Sequence, residues 1–220
     1  SRGLVGSEMC IRDRYKDYGY DKFEVIEGPD IQNYIASPKY KAALLDRGSA
    51  HIHPLNFALG LAAAVRAKGV RIYERSRVRE KIKGEPAILK TLTGQVRADH
   101  VILACNAHLE GLEKRIRGHI MGINSYALTT EALDPELAKK LFPNLTAILD
   151  NDKRFRSFKL TQDHRLIFTS GHNRGELLEN AEKLVRPELK RFLPELKETK
   201  ITHHWGGSMA LSKDLMPHIG

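Results

Sequence analysis

The stretch Val101-Ile-Leu-Ala104 constrains this chain more than any other: four apolar residues in a row, set between Ala98-Asp-His100 and Cys105-Asn106. A strand that is apolar on both faces needs a layer on each side, as a parallel sheet provides. What precedes it supports that reading. Ala50-His-Ile-His53 reads as a short strand, Pro54 opens a helix at a position where its missing N–H does no harm, and Gly69 ends it. That helix, Leu55 to Lys68, is apolar nearly all round and is expected to be buried on more than one face. Val70-Arg-Ile-Tyr-Glu74 alternates as a strand, Arg77 to Lys83 offers another, and Ala87 to Thr91 turns at Thr93-Gly94 into Gln95-Val-Arg97. Helix, strand, meander and buried strand follow one another, which is the order of an α/β unit.

The flanking segments read differently. From Ile26 to Leu45 a helical spacing carries Ile31, Tyr34, Ile35, Ala42 and Leu45, broken at Ser37-Pro38 because the residue before proline avoids the helical region. Beyond Leu112 the strand-like runs are Ile120 to Thr130, Thr146 to Leu149, Arg154 to Leu160 and Arg165 to Thr169, with turns at Asn151-Asp152 and Gln162-Asp163. A helix from Leu178 to Phe192, interrupted at Pro187, covers them, and Lys200 to Trp205 is a last strand running into Gly206-Gly207. This second part predicts an antiparallel sheet with a helix. The fold class is therefore α/β with an α+β part, two architectural units sharing one chain without an internal repeat.

Composition narrows the function classes. With 220 residues, 41% hydrophobic and 29% charged, the chain has the make-up of a folded protein. Its 36 Lys and Arg against 27 Asp and Glu leave a net +9, but the excess is scattered among acids, with no basic stripe interleaved with aromatics, so no nucleic-acid partner is expected. Two cysteines ninety-five positions apart, Cys10 and Cys105, make neither a disulfide framework nor a metal knuckle, which fits a reducing cytoplasm. No apolar run reaches the roughly 18 residues of a membrane span. Ser1 to Arg14 begins without Met and lacks an apolar signal-peptide core, and Ser7 to Arg14 reads as a translated sequencing-adapter run. Residues 1–15 are accordingly expected to be a non-native tail. With the chain also stopping at Met216-Pro-His-Ile-Gly220, it is expected to be a piece of something longer.

Several residues have the chemistry of a site. In open α/β sheets the ligand lies beyond the carboxyl ends of the parallel strands, here Glu74 to Val78 and Ala104 to Asn106. Small residues at Ala104 and Cys105 permit close main-chain approach to a dinucleotide, although the same tips suit any α/β protein. His51 and His53 stand two apart on the expected strand, which would project both rings to one face. There they serve either as proton-handling groups near neutral pH or as solvated, backbone-bonded rings. A further alternative takes them as metal ligands of a hydrolase, completed by His203 or His204 and Asp214. Arg154, Arg156 or Arg174 offers a bidentate clamp for a substrate carboxylate.

Five runs together carry a family resemblance: Ala50 to Asn56; Gly69 to Val78; Ala98 to Ala107; Ile123-Asn-Ser-Tyr126 with Thr130-Glu131; and His204-Trp-Gly-Gly207 with Asp214 to Gly220. In order and spacing they resemble the FAD-dependent D-amino acid oxidase superfamily, in its gamma-glutamylputrescine oxidoreductase branch, over residues 16 to 220. The resemblance implies a flavoenzyme that takes a hydride equivalent from the carbon next to an amine nitrogen, giving an imine that water hydrolyses. It also implies that the flavin is reoxidised by oxygen or another acceptor. The expected cofactor is FAD and the expected partner a small-molecule amine, plausible in gamma-glutamylputrescine and polyamine breakdown.

Carried over position by position, Val78 holds the adenine through its backbone N–H and C=O, and Ala104, Cys105 and Asn106 pass beside the phosphates and ribose. Trp205, Gly206, Gly207 and Asp214 to Gly220 lie near the flavin ring and ribityl chain, and Tyr126 faces substrate. His53 and His51 are the other catalytic candidates, and no metal is assigned. The implied division is residues 16–48 a substrate-domain segment, 49–117 part of an FAD-binding Rossmann-like domain, 118–200 the substrate domain and 201–220 a return to the FAD-binding domain. The Gly-x-Gly-x-x-Gly turn for the pyrophosphate is absent and Gly122 replaces the usual proline, so residues 1–220 alone are expected to be inactive; the alternative is a non-catalytic fragment.

Overall fold

The computed structural model describes residues 2–150 and 155–218. After α1 (Arg2–Asp17), β1 (Phe23–Glu27) and β2 (Ala42–Asp46) pair antiparallel, from Phe23 opposite Asp46 to Glu27 opposite Ala42. This corrects the helix expected over Ile26 to Leu45. Helical spacing there is carried by Ile31, Tyr34 and Ile35, and it yields one short 3-10 stretch, Gly28–Asn33, with Ile31 and Ile35 buried. Pro38 stops the turn from extending, and pairing β1 with β2 satisfies the backbone groups that a broken helix would leave open.

α2 (Pro54–Ala67) starts at Pro54, and Gly69 follows it with φ +81°, a conformation glycine adopts without strain. The burial expected of this helix is not found: none of its residues is buried, and Leu55, Phe57, Leu59 and Leu61 are more than half exposed. Nor do Ala50 to His53, Val70 to Glu74 and Val101 to Ala104 form strands. Apolar sequence makes a segment suited to a sheet, but a strand exists only through a ladder with a neighbouring segment, and no sheet among the described residues includes these three. The meander does form: β3 (Glu80–Ile82), β4 (Ala87–Lys90) and β5 (Gln95–Ala98) pair antiparallel in sequence order. A 3-10 stretch, Asn106–Leu109, and the single turn of α3 (Lys114–Arg117) follow.

The remaining elements are β6 (Ile120–Ala132), α4 (Pro135–Leu141), β7 (Ile148–Leu149), β8 (Ser157–Leu160), β9 (Arg165–Asn173), α5 (Ala181–Phe192) and β10 (Ile201–Ser212). Their strands form one five-stranded sheet in the order β10-β6-β9-β8-β7. Alternation sets the buried face: on β8 and β9, Phe158, Leu160, Leu166 and Phe168 point inward while their neighbours stand half-exposed. α5 lays Ala181, Val185, Leu189 and Phe192 into the same core, the spacing of one helix face. It runs unbroken through Pro187, so the expected interruption is absent; burial of that apolar face outweighs the one lost backbone bond. α4 escaped the sequence reading although its signal is there: Asp134 caps the N–H groups of Glu136 and Leu137, and Pro135 takes the first helical position. The expected turn at Asn151-Asp152 lies outside the described residues.

By packing, the chain divides into two compact units, each discontinuous in sequence. Unit 1 holds the residues up to His51 together with Asn124–Gly207, and unit 2 holds Ile52–Ile123 together with the residues from Ser208. Unit 1 contains the hydrophobic core just described and, inside it, a charged group: Arg156 donates to Glu188 at 2.9 Å and to Asp150 at 3.0 Å, and its guanidinium lies 4.4 Å from the centre of the Phe192 ring. No helix among the described residues is long and apolar enough to cross a membrane.

Candidate functional site

In unit 2, one of the candidate cofactor residues, Val78, lies where two non-strand segments meet. Val78 sits between Arg77 and Arg79, and these three face His108 to Leu112 across a cavity of about 160 Å³. A salt bridge from Arg77 to Glu110 ties the two segments together, and a second, from the largely covered Lys81 to Glu113 at 2.7 Å, reinforces it one strand further on. The Lys81 ammonium holds the Glu113 carboxyl below the usual carboxylate range, helped by a backbone N–H. Among the described residues neither the N–H nor the C=O of Val78 has a hydrogen-bond partner.

Ala104 is exposed, Cys105 is half-buried with a free thiol, and the Cys105 carbonyl accepts from the His108 N–H at 2.9 Å. Asn106 has φ +50°, a left-handed conformation that asparagine tolerates better than most side chains. Its Oδ1 accepts from the Ala210 N–H at 2.6 Å, tying the 3-10 stretch to the end of β10. In the next turn, Asp214 accepts from His218 Nε2 at 3.0 Å and from the Met216 N–H at 3.1 Å. The His218 bond is the larger influence and, with the Met216 N–H, pulls the Asp214 carboxyl down to about 2. A depressed folded pKa stabilises the turn above the ordinary value of 3.8 and loses that contribution as pH falls toward 2. An NMR titration of the Asp214 carboxyl is expected to show a midpoint near 2, moving upward in His218→Ala.

The histidine pair departs from expectation. Residues 51–53 are not a strand, so the geometry that would turn both rings to one face is lost. His53 is instead the N-cap of α2, its Nδ1 accepting from the Asn56 N–H at 3.2 Å, which leaves the proton of the neutral ring on Nε2. His51 is exposed.

In unit 1 the candidates cluster around a phenol. Tyr126 is 1% exposed, its hydroxyl donating to Asn173 Oδ1 at 2.6 Å and accepting from the Leu178 N–H at 3.0 Å. Both functions of the hydroxyl are thus spent inside unit 1. Gly206 packs on the ring, where an added Cβ would lie 2.7 Å from Cδ1 and Cε1 of Tyr126 and 3.0 Å from Leu177. Only glycine allows that approach. Gly207 has open space around it, and Trp205 is 47% exposed. Arg156 is 1% exposed and engaged by two carboxylates, which removes it as a substrate clamp. Gly220 and Arg154 lie outside the described residues. Asn124 and Asn173, which complete the Tyr126 cluster, were missed; the available signal was that Asn124 and Tyr126 are two apart on a strand and so share a face. Among the described residues no three His, Cys, Asp or Glu side chains are grouped to hold a metal ion.

The family model described as "FAD dependent oxidoreductase" (DAO) matches residues 7–220. The chain belongs to the DAO family. Its cofactor is FAD, and the family replaces the metal-hydrolase alternative for His51 and His53. Gamma-glutamylputrescine oxidoreductase of Escherichia coli is 36% identical over 95% of the chain and 50% of its own length. The probable oxidoreductase OrdL of Haemophilus influenzae is 28% identical over 95% of the chain and 49% of its own length. The chain thus spans about half the length of the curated relatives it matches. Glycine oxidase from Geobacillus kaustophilus superposes with a TM-score of 0.77 at 16% identity, over 95% of this chain and 56% of that one. L-proline dehydrogenase from P. horikoshii gives 0.75 at 17%, over 94% and 57%. These two likenesses establish the mixed α/β fold of the DAO type.

Proposed function

We propose that this chain belongs to an enzyme that oxidises an amine at the carbon next to its nitrogen, with gamma-glutamylputrescine as substrate. The observation that carries the reading is the 36% identity to gamma-glutamylputrescine oxidoreductase across 95% of the chain. Unit 2 serves as part of the cofactor domain and unit 1 as the substrate domain. The residues of unit 2 fit FAD: the unspent N–H and C=O of Val78 suit the adenine edge, and Ala104, Cys105 and Asn106 offer main chain with little side-chain bulk for the phosphates and ribose. Within unit 2, the stretch from Asp214 to His218 is available to the ribityl chain. Bound FAD would supply the acceptor for the hydride equivalent, leaving an imine that water hydrolyses. With Nδ1 occupied by the cap, His53 acts through Nε2–H as a donor, and His51 stands exposed. The free thiols of Cys10 and Cys105 fit a reducing, cytoplasmic setting.

The test compares residues 1–220 with the same segment inside its full-length gene product, both purified with FAD present. The full-length product is expected to carry one flavin per chain, bleached anaerobically by gamma-glutamylputrescine, while residues 1–220 alone are expected not to turn over. A full-length product that purifies without flavin, or one bleached by no amine, would overturn the proposal.

A further inference from the structure

The net charge is scattered along the sequence but uneven in space. Unit 2 holds 14 Lys and Arg against 7 Asp and Glu, so seven of the nine net positive charges belong to it. Part of that excess gathers where β3 meets α3. Lys81 donates to Glu113 at 2.7 Å, the two side chains only 15% and 16% exposed, and this covered pair fastens β3 to the start of α3. Lys83 adds to the pull of Lys81 on that carboxyl. Directly after Glu113 the chain reads Lys114-Arg-Ile-Arg117, all four residues exposed. Five cations thus stand beside one carboxylate, and Lys81 has already claimed it.

Among the described residues Lys114, Arg115 and Arg117 have no acidic partner. None of the five cations lines the cavity beside Val78, so the cluster is separate from the residues that fit FAD. Like charges on one helical turn repel one another, and a carboxylate surface brought against them relieves that repulsion. Two guanidinium forks suit oxygen anions, carboxylate or phosphate. The side chain between them decides which. Ile116 is 45% exposed, an apolar group set among cations. Neither Lys81 to Lys83 nor Glu113 to Arg117 includes an aromatic on which a base could stack, so a nucleic acid would gain charge contacts alone. One isoleucine is too little apolar surface to seat in a bilayer. A protein surface uses both features, since interfaces join apolar contact to a charged rim.

We propose that the turn Lys114–Arg117, backed by Lys83 and fixed in place by the Lys81–Glu113 pair, docks an acidic surface of a partner protein. Carboxylates meet the Arg115 and Arg117 guanidinium groups, and an apolar side chain meets Ile116. The charges steer encounter and orientation, and the apolar contact lengthens residence. Docking here calls for no contact with the amine substrate.

The probe is a short labelled peptide with Asp and Glu around one Leu, titrated into the full-length product and followed by fluorescence anisotropy. Arg115→Glu with Arg117→Glu is expected to weaken binding about tenfold or more, and the milder Arg115→Gln with Arg117→Gln about threefold. Lys183→Glu with Lys190→Glu makes the same change of charge at exposed positions of α5 in unit 1 and is expected to leave binding within about twofold of the parent. Ile116→Ser is expected to weaken the peptide about threefold and to leave an oligothymidylate of equal charge unmoved. Because every substituted residue is exposed, all variants are expected to keep the parent's circular dichroism. Equal losses from the two charge reversals, or no binding of the peptide to the parent, would overturn the inference. So would tighter binding of the oligothymidylate or of phosphatidylglycerol vesicles than of the peptide, which would give the same cations to a nucleic acid or a membrane.

Discussion

Arg156→Met is expected to lower the unfolding free energy of unit 1 by about 3–5 kcal/mol, the usual cost of breaking a buried ion pair from one side. Arg156 is fully buried, at 1% exposure, and the side chains of its partners Asp150 and Glu188 are 6% and 11% exposed. Methionine fills the volume and restores contact with Phe192, but it takes from two carboxylates the buried cation between them, leaving Glu188 only the more distant Arg191 at 3.8 Å. Tyr40 donates to Asp150 at 3.1 Å and offsets only part of that loss. The variant that also carries Asp150→Asn and Glu188→Met is expected to recover most of the stability, because it removes the uncompensated charges along with the cation. Urea denaturation followed by fluorescence of Trp205, the single tryptophan, reads both. A loss below about 1 kcal/mol in Arg156→Met would mean that the group behaves as a surface pair and is reached by water.

Phe158→Ala is expected to cost about 3–5 kcal/mol, and Phe158→Leu less than half of that. Phe158 is fully buried on β8, with the Phe168 ring 4.7 Å away and the Tyr40 and Phe192 rings each at 6.1 Å. Its neighbours come from the β1–β2 connection, β9 and α5, so no single element can shift to fill the space. The cavity term therefore adds to the transfer term. The same denaturation measurement gives the size. A cost near 1 kcal/mol would show that the aromatic cluster collapses into the gap.

Legibility followed the range of the interactions. β4, β5, β8 and β9 stand close to their expected places because period-two alternation and a neighbouring turn are local signals, and each strand's partner follows within a few residues. Pro54 and Gly69 bracket α2 as read, since caps act over one turn. The segment from Ile26 to Leu45 failed because Ile31 and Ile35 satisfy a helical period over one turn only, and the pairing of Phe23 with Asp46 spans a distance that no local window sees. Val101 to Ala104 has the apolar character of a central strand, yet it forms no ladder among the described residues because a ladder belongs to two segments.

The candidate site divides the same way. The sequence by itself determined the family and the cofactor, because spacing of small residues, glycines and a tryptophan along one chain is a one-dimensional property. Only the tertiary structure decided what each residue does there. It turned Tyr126 inward to hold the segment after Asn173, made His53 a helix cap, and locked Arg156 between two carboxylates. Those assignments depend on which donors and acceptors are already satisfied, and neighbours far off in the chain settle part of that: Glu188 lies 32 positions from Arg156, and Leu178 lies 52 from Tyr126.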